Sequence, residues 1–147
     1  MVPAPSFALR VAASPAGIRL AADALDRFRA AHGLRDLTAW PLQVALDEIL
    51  SNIIHHAGAG PNEATIDVAV ELRNDALEMT VTDDGPAFNP LQLPEPDVAA
   101  TLEERRPGGL GVHLVRQLMD RVEYRRTEGR NCLVMTWRRP RPGSRDA

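Results

Sequence analysis

Residues 45–57 have the sequence Ala-Leu-Asp-Glu-Ile-Leu-Ser-Asn-Ile-Ile-His-His-Ala, in which apolar residues recur at the spacing of an amphipathic helix. Glu48, Asn52 and His56 follow one another at intervals of four residues. At about 3.6 residues per turn they share nearly the same helical face. The stripe is either a solvated face or a set of buried groups with partners, because an unpaired buried polar group costs about 1–3 kcal/mol.

The sequence on both sides of this helix predicts an α+β domain. The expected order is strand, helix, helix, two strands, a long loop, helix and two strands. Because neighbouring strands lack crossover helices, we expect a mixed, mostly antiparallel sheet. Helices would cover one face of it, which gives a two-layer α/β sandwich. We place this domain at residues 6–139 and a flexible, basic, Pro-rich tail at residues 140–147.

Composition limits the classes of function. The 147 residues suit one domain, and the net charge of −3 gives no basic field for nucleic acid. Cys132, the only cysteine, stands in an apolar run and is expected to be a buried thiol. No apolar stretch approaches the roughly 20 residues that span a membrane, and no signal peptide is recognisable. We therefore expect a cytoplasmic protein that contacts neither membrane nor nucleic acid.

A glycine-rich stretch, Gly108-Gly109-Leu110-Gly111, precedes the third predicted helix. Glycines at a helix start let the backbone approach an anion, and the free N–H groups there attract negative charge. A purely structural helix start explains the same residues. The stretch is not a P-loop, since no Gly-Lys-Ser/Thr follows, and without a βαβ unit a dinucleotide-binding fingerprint is unsupported.

Asp83-Asp84-Gly85 follows a predicted strand and is also open to two interpretations. Asp-Gly is a common turn. Alternatively, a carboxylate at a strand end accepts a hydrogen bond from an adenine amino group, and Gly85 lets the flat base lie close to the backbone.

Taken together and in this order, the three segments resemble the N, G1 and G2 boxes of the histidine-kinase-like (GHKL, Bergerat-fold) ATPases. The resemblance extends from about residue 8 to residue 137. The three boxes read Ala-Leu-Asp-Glu…Asn…His-Ala, Asp-Asp-Gly-Pro-Ala-Phe and Gly-Gly-Leu-Gly-Val-His-Leu-Val. The residues in these boxes are most similar to those of the anti-sigma-factor serine/threonine kinases. This implies a Bergerat-type fold and the use of ATP and Mg²⁺.

The resemblance also implies roles for individual residues. Asn52 would coordinate Mg²⁺, for which a carboxamide oxygen is a suitable ligand. Glu48 would be the general base that takes a proton from a serine hydroxyl of a partner protein or from water. Asp83 would hold the adenine amino group, and Gly85 would make room for the ring. For His56 we expect a packing or capping role.

The phosphates would lie at Gly108, Gly109, Leu110 and Gly111, with Gly109 and Gly111 donating backbone N–H groups. Residues 92–108 would form a lid. Arg105 and Arg106 either belong to a solvated loop or reach the γ-phosphate, where charge builds during transfer. Ala87 stands where many relatives have glycine, so with Pro86 it would stiffen the segment and either tighten the adenine pocket or alter the motion of the lid.

The function that this resemblance implies is a Mg·ATP-dependent serine/threonine kinase in a partner-switching circuit. Its substrate would be a STAS-type anti-anti-sigma protein, a sigma factor is a further expected partner, and a homodimer is plausible. The main alternative is a module that binds ATP or ADP and a regulator with little phosphotransfer. A histidine-kinase catalytic domain from a longer chain and a domain without a ligand are the remaining alternatives.

Overall fold

The computed structural model describes residues 3–34, 39–57, 64–92 and 109–140. Within these residues, five strands and three α-helices follow in the predicted order, and a short 3-10 helix follows the third strand. The elements are β1 (Ser6–Ala12), α1 (Pro15–Ala31), α2 (Trp40–Ala57), β2 (Thr65–Arg73), β3 (Ala76–Asp83), the 3-10 helix (Pro90–Gln92), α3 (Gly109–Leu118), β4 (Arg121–Thr127) and β5 (Arg130–Arg138).

Local sequence signals define the ends of α1. The hydroxyl oxygen of Ser14 accepts a hydrogen bond from the N–H of Gly17 at 3.1 Å, which satisfies one of the free donors of the first turn. Pro15 occupies the first helical position, where no N–H is needed. Gly33 follows the helix with φ of +71°, a conformation that favours glycine. These residues are of the types that favour the start and the end of a helix, so α1 begins and ends where its local sequence favours it.

The sheet has the order β1-β2-β3-β5-β4, and all four pairings are antiparallel. The expectation of a mixed sheet is therefore wrong in this respect, although the two-layer α+β architecture is confirmed. Asn74-Asp75 joins β2 to β3 and Glu128-Gly129 joins β4 to β5. Asn74 and Glu128 have positive φ values of 52° and 55°, which suits tight hairpins.

Alternation along the strands builds one hydrophobic core between the sheet and the helices. Every second residue of β3 and β5 is buried, while the residues between them lie on the opposite face. The core includes Leu25, Leu42, Leu46, Leu50, Ile66, Val68, Val70, Leu77, Met79, Val81, Val115, Leu133, Met135 and Trp137. Val11 and Leu25 belong to it, and Leu9 and Ile18 pack against it.

The same alternation brings two polar side chains to the inner face at one end of the sheet. Asp83 continues the buried series of β3, and Asn131 begins that of β5. The two residues are directly opposite each other in the antiparallel register. This end of the sheet therefore presents polar groups towards α2.

Three further predictions concern the periphery of the domain. Cys132 is buried, as predicted. Among the described residues, no helix is both long and apolar enough to cross a bilayer. Residues 141–147 lie outside the described residues, so the flexible tail stays a prediction, as does the cytoplasmic location.

Candidate active site

The carboxylate of Asp83 is held by two donors. Its Oδ1 accepts hydrogen bonds from the N–H of Gly85 at 2.8 Å and from Nδ2 of Asn131 at 3.1 Å. Among the described residues, no hydrogen bond reaches the second oxygen, Oδ2. Asp83 is only 9% exposed. The carboxylate is thus orientated from one side and keeps one oxygen for another donor.

Gly85 is required by the close approach of this carboxylate. A Cβ atom at this position would lie 2.8 Å from Asp83 Oδ1, closer than real Cβ contacts come. The turn interpretation of Asp83-Asp84-Gly85 is therefore confirmed, and this turn orientates the carboxylate. The binding interpretation stays a prediction.

The polar stripe of α2 faces this end of the sheet. Asn52 is 6% exposed, so the solvated-face interpretation fails for this residue. Its Oδ1 is buried and accepts no hydrogen bond from any described residue. Glu48 and His56, one turn before and one turn after it, are half-buried. A buried acceptor without a donor is unfavourable, and among the described residues the oxygen of Asn52 is left available to a further donor or a cation.

His56 packs against the loop that follows β3. Its ring stacks on that of Phe88, with centroids 4.0 Å apart and planes inclined by 24°. This confirms the packing role that the sequence predicted. Its Nε2 is buried and has no hydrogen-bond partner among the described residues. Burial lowers the pKa of His56 below its ordinary value of 6.5, and the neighbouring His55 lowers it further.

A cavity lies between α2, the end of the sheet and this loop. Its empty volume, which includes the open mouth, is about 450 Å³. The walls are mostly apolar, with a few polar groups that converge on the space. The lining residues are Ile49, Asn52, Ile53, His56, Val81, Asp83, Gly85, Pro86, Phe88, Pro90, Tyr124, Asn131 and Leu133.

Glu48 lies against the start of α3. A Cβ atom on Gly111 would stand 2.1 Å from Glu48 Oε2 and 3.1 Å from its carboxyl carbon. The missing side chain of Gly111 therefore makes room for the carboxylate of Glu48. The predicted general base and the predicted phosphate-binding turn are thus in direct contact.

The remaining predicted site residues are placed as follows. Gly109 and Leu110 open α3, whose first turn carries free N–H groups. Gly108, Arg105 and all of the predicted lid except Gln92 lie outside the described residues. Ala87 is exposed and does not line the cavity, so its predicted effect on the adenine pocket would act through the backbone.

Asn52 fits the expected role as a magnesium ligand. Its carboxamide oxygen is buried, lacks a donor among the described residues and borders the cavity. Mg²⁺ is commonly held by one or two protein oxygens together with water and substrate phosphates. The described residues contain no group of three or more His, Cys, Asp or Glu side chains arranged to hold a metal by themselves.

Sequence reasoning missed Asn131, Tyr124 and Phe88, all of which line the cavity. The available signal was the alternation of β5. The inner series of Leu133, Met135 and Trp137 is apolar, and extending it back by two residues reaches Asn131, which is polar. Tyr124 and Phe88 carried no comparable signal, because their roles depend on strand pairing and loop path.

With this geometry established, comparisons with known proteins define the family. The sequence profile of the histidine kinase-like ATPase domain matches residues 11–137. The chain therefore belongs to the histidine kinase-like ATPase domain family.

Two named relatives are bacterial kinases. The chain is 33% identical over 95 residues to the serine/threonine-protein kinase BtrW of Bordetella bronchiseptica, covering 65% of this chain and 67% of that protein. It is 34% identical over 99 residues to the serine-protein kinase RsbW of Listeria monocytogenes, covering 65% of this chain and 62% of RsbW. Both relatives are named as protein kinases that act on serine or on serine and threonine. This is the class of enzyme that the sequence predicted for this chain.

Solved structures show the same fold. The structure of the RsbU and RsbW domains of Rv1364c from Mycobacterium tuberculosis superposes with a TM-score of 0.68. The match has 19% identity and covers 96% of this chain and 34% of that one. The histidine kinase domain of the blue-light-activated kinase EL346 from Erythrobacter litoralis superposes with a TM-score of 0.53 at 17% identity, covering 84% of this chain and 60% of that one. Both confirm the predicted Bergerat-type fold.

Proposed function

We propose that this chain is a Mg·ATP-dependent protein serine/threonine kinase that regulates a partner-switching circuit. Its proposed substrate is a serine or threonine of a STAS-type anti-anti-sigma protein. The observation that carries the proposal is the buried, unpartnered oxygen of Asn52 in the same cavity as the orientated carboxylate of Asp83. The names of the relatives support the kinase chemistry, and the STAS substrate rests on the family resemblance.

The base of the nucleotide would lie in the cavity beside Asp83. The free Oδ2 of this carboxylate would accept a hydrogen bond from the exocyclic amino group of adenine. Apolar side chains of Ile49, Val81 and Leu133 line the same space and exclude water from the ring faces. Gly85 keeps the carboxylate in place, because any side chain there would displace it.

The phosphates would extend from the cavity towards the start of α3. Asn52 would hold Mg²⁺, which when bound supplies positive charge to the phosphate oxygens. The N–H groups of the first turn of α3 point out of the helix start and stabilise negative charge there. The protein therefore contributes mainly positioning and charge neutralisation, as phosphoryl transfer requires.

Glu48 would be the general base. It is half-buried, stands one turn before Asn52 and contacts the glycine at the start of α3. From there the carboxylate would take the proton of a serine or threonine hydroxyl as the hydroxyl oxygen bonds to the γ-phosphorus of ATP. The bond between the γ-phosphorus and the bridging oxygen of the β-phosphate would break at the same time, and ADP would leave. We further propose that Arg105 reaches the γ-phosphate, where a guanidinium would stabilise the charge that develops. A sigma factor as second partner and a homodimer remain predictions.

A phosphotransfer assay with a matched pair of variants tests the proposal. The protein is incubated with Mg²⁺, radiolabelled ATP and STAS-type proteins of its own organism, and labelled serine or threonine is measured. Glu48→Gln should lower the rate about 100- to 10,000-fold, because it removes the base, and should retain ATP binding. Asp47→Asn is the control, since Asp47 is an exposed carboxylate on the same helix.

Two results would count against the proposal. Equal transfer by the Glu48→Gln variant would remove the assigned base. ATP binding without transfer to any STAS-type protein would favour the alternative, a nucleotide-binding module that controls a partner by its shape.

A further inference from the structure

We propose that Asn131 is the positioning residue of the base site. It would orientate Asp83 and thereby set the preference for adenine over guanine. The inference rests on the proposed nucleotide-binding function, and it concerns a residue that none of the three sequence boxes contains.

Asn131 connects three parts of the site through its carboxamide. Nδ2 donates hydrogen bonds to Asp83 Oδ1 at 3.1 Å and to the carbonyl oxygen of Pro86 at 2.8 Å. Oδ1 accepts from the N–H of Phe88 at 3.2 Å, from the hydroxyl of Tyr124 and from the guanidinium of Arg126 at 3.0 Å. The side chain is only 7% exposed. One buried residue of β5 therefore holds the end of β3, the following loop and β4.

The surroundings allow only one orientation of this carboxamide. A backbone N–H such as that of Phe88 and a guanidinium such as that of Arg126 can only donate. Both point at the same atom, which must therefore be the oxygen of Asn131. The opposite end, the NH₂ group, is then directed at Asp83 and Pro86. Rotating the carboxamide would place donors against donors and acceptors against acceptors.

This orientation decides what Asp83 presents to a ligand. Because Nδ2 of Asn131 and the N–H of Gly85 both donate to Oδ1, the carboxylate is held by that oxygen. Oδ2 remains to accept from whatever lies in the cavity. The two donors to Oδ1 fix the carboxylate of Asp83, so that its Oδ2 stays directed at the ligand and the carboxylate cannot rotate away from it.

The selectivity follows from the donor pattern of the bases. Adenine carries an amino group at the position where guanine carries a carbonyl oxygen. The amino group donates to Asp83 Oδ2, whereas a carbonyl there would face a second acceptor. A site built around a hydrogen bond discriminates strongly against an analogue that leaves its polar group unpaired. Weakening the hold on Asp83 should therefore reduce discrimination as well as affinity.

Asn131→Asp and Asn131→Ala separate positioning from general support of the fold. Asn131→Asp keeps an oxygen for Phe88, Tyr124 and Arg126 but replaces the donor that faces Asp83 by an acceptor. Asn131→Ala removes both ends. Thr136→Ala is the matched control, because Thr136 lies on the same strand, is half-buried and is on the other face of the sheet. Circular dichroism and thermal melts establish that each variant is folded.

Dissociation constants for ATP and GTP and steady-state kinetics are then measured on the folded proteins. Both Asn131 variants should bind ATP about 10- to 100-fold more weakly, the range expected for lost hydrogen bonds to a charged group, and Asn131→Asp should lose most. The ratio of GTP to ATP dissociation constants should fall towards one. At saturating ATP, kcat should stay within about threefold, since the phosphates lie at the other end of the site.

The possible outcomes have different meanings. Loss of thermal stability alone, with the same ATP affinity and the same GTP-to-ATP ratio as the unsubstituted protein, would overturn the positioning role. A fall in kcat without a change in KM would overturn it too. Failure of the unsubstituted protein to bind ATP would instead overturn the proposed function, and the inference with it.

Discussion

Asn52 places a carboxamide oxygen inside the protein where no described residue donates to it. Burial of such a group opposes folding by about 1–3 kcal/mol. Around it, α2 buries Leu46 and Leu50 completely or nearly so. A residue with such an unpaired oxygen contributes little to stability at a buried position. Its presence is explained if its oxygen binds a ligand, which is the role proposed for Asn52.

Asn52→Ala should therefore cost little stability. We expect its free energy of unfolding, measured by urea denaturation, to stay within about 1 kcal/mol of the unsubstituted protein, because an unsatisfied acceptor is lost together with some packing. Leu50→Ala on the same helix is the control and should cost about 2–5 kcal/mol. An Asn52→Ala variant as unstable as Leu50→Ala would show that Asn52 supports the fold rather than a ligand.

At the scale of elements, the site depends on the contact between α2 and α3. The two helices approach each other where Glu48 meets Gly111, and a Cβ atom on Gly111 would overlap Glu48 Oε2. The glycine thus has two separable roles: its N–H stands at a helix start, and its missing side chain accommodates the carboxylate. The sequence suggested the first role only.

Gly111→Ala tests these roles against each other. Alanine keeps the backbone N–H, so ATP affinity should change little, but the carboxylate of Glu48 must move. We expect kcat for phosphotransfer to fall on the order of 10- to 100-fold, the effect of misplacing a reacting group by about 1 Å. Gln117→Ala, an exposed change on the same helix, is the control. Normal kcat with weakened ATP binding would instead assign Gly111 to the phosphates alone.

Sequence patterns predicted the elements well but not how their ends meet. Periodicity and capping located α1, periodicity located α2, and alternation located the strands, because these signals are local. The pairing of β3 with β5 brings together residues 83 and 131, which are 48 positions apart. Asn131 and its hydrogen bonds at the base site were therefore missed, whereas Asp83, Gly85 and Asn52 could be named from motifs.

At the scale of the whole molecule, an ion-pair network lies on the outer face of the sheet, at the end where Asp83 and Asn131 pair. Asp67 binds Arg10 at 2.7 Å and Arg130 at 2.6 Å, and Arg130 also binds Asp84 at 2.6 Å. The network links β1, β2 and β5 to the residue beside Asp83. Hydrogen bonds from Arg10 and Arg130 lower the pKa of Asp67 below its ordinary value of 3.8.

Asp67→Asn should reveal the contribution of this network. Because the folded state lowers the pKa of Asp67, the stabilisation is present above pH 3.8 and is lost as the pH falls through the lower folded pKa. At pH 7 we expect the variant to lose no more than about 1 kcal/mol of unfolding free energy, since the pairs are partly exposed.

Urea denaturation at several pH values and at low and high salt measures this effect. The difference between Asp67→Asn and the unsubstituted protein should shrink in high salt and towards acid pH. A difference that is independent of both pH and salt would show that Asp67 acts through packing or neutral hydrogen bonds.

The central claim is that the cavity beside Asn52 and Asp83 binds ATP with Mg²⁺. Isothermal titration of the purified protein with ATP, with and without Mg²⁺ and beside the Asn52→Ala variant, tests it most directly. We predict saturable binding to one site per chain that is tighter with Mg²⁺, and loss of this Mg²⁺ dependence in Asn52→Ala. Folded, unsubstituted protein that binds no ATP under either condition would contradict the account.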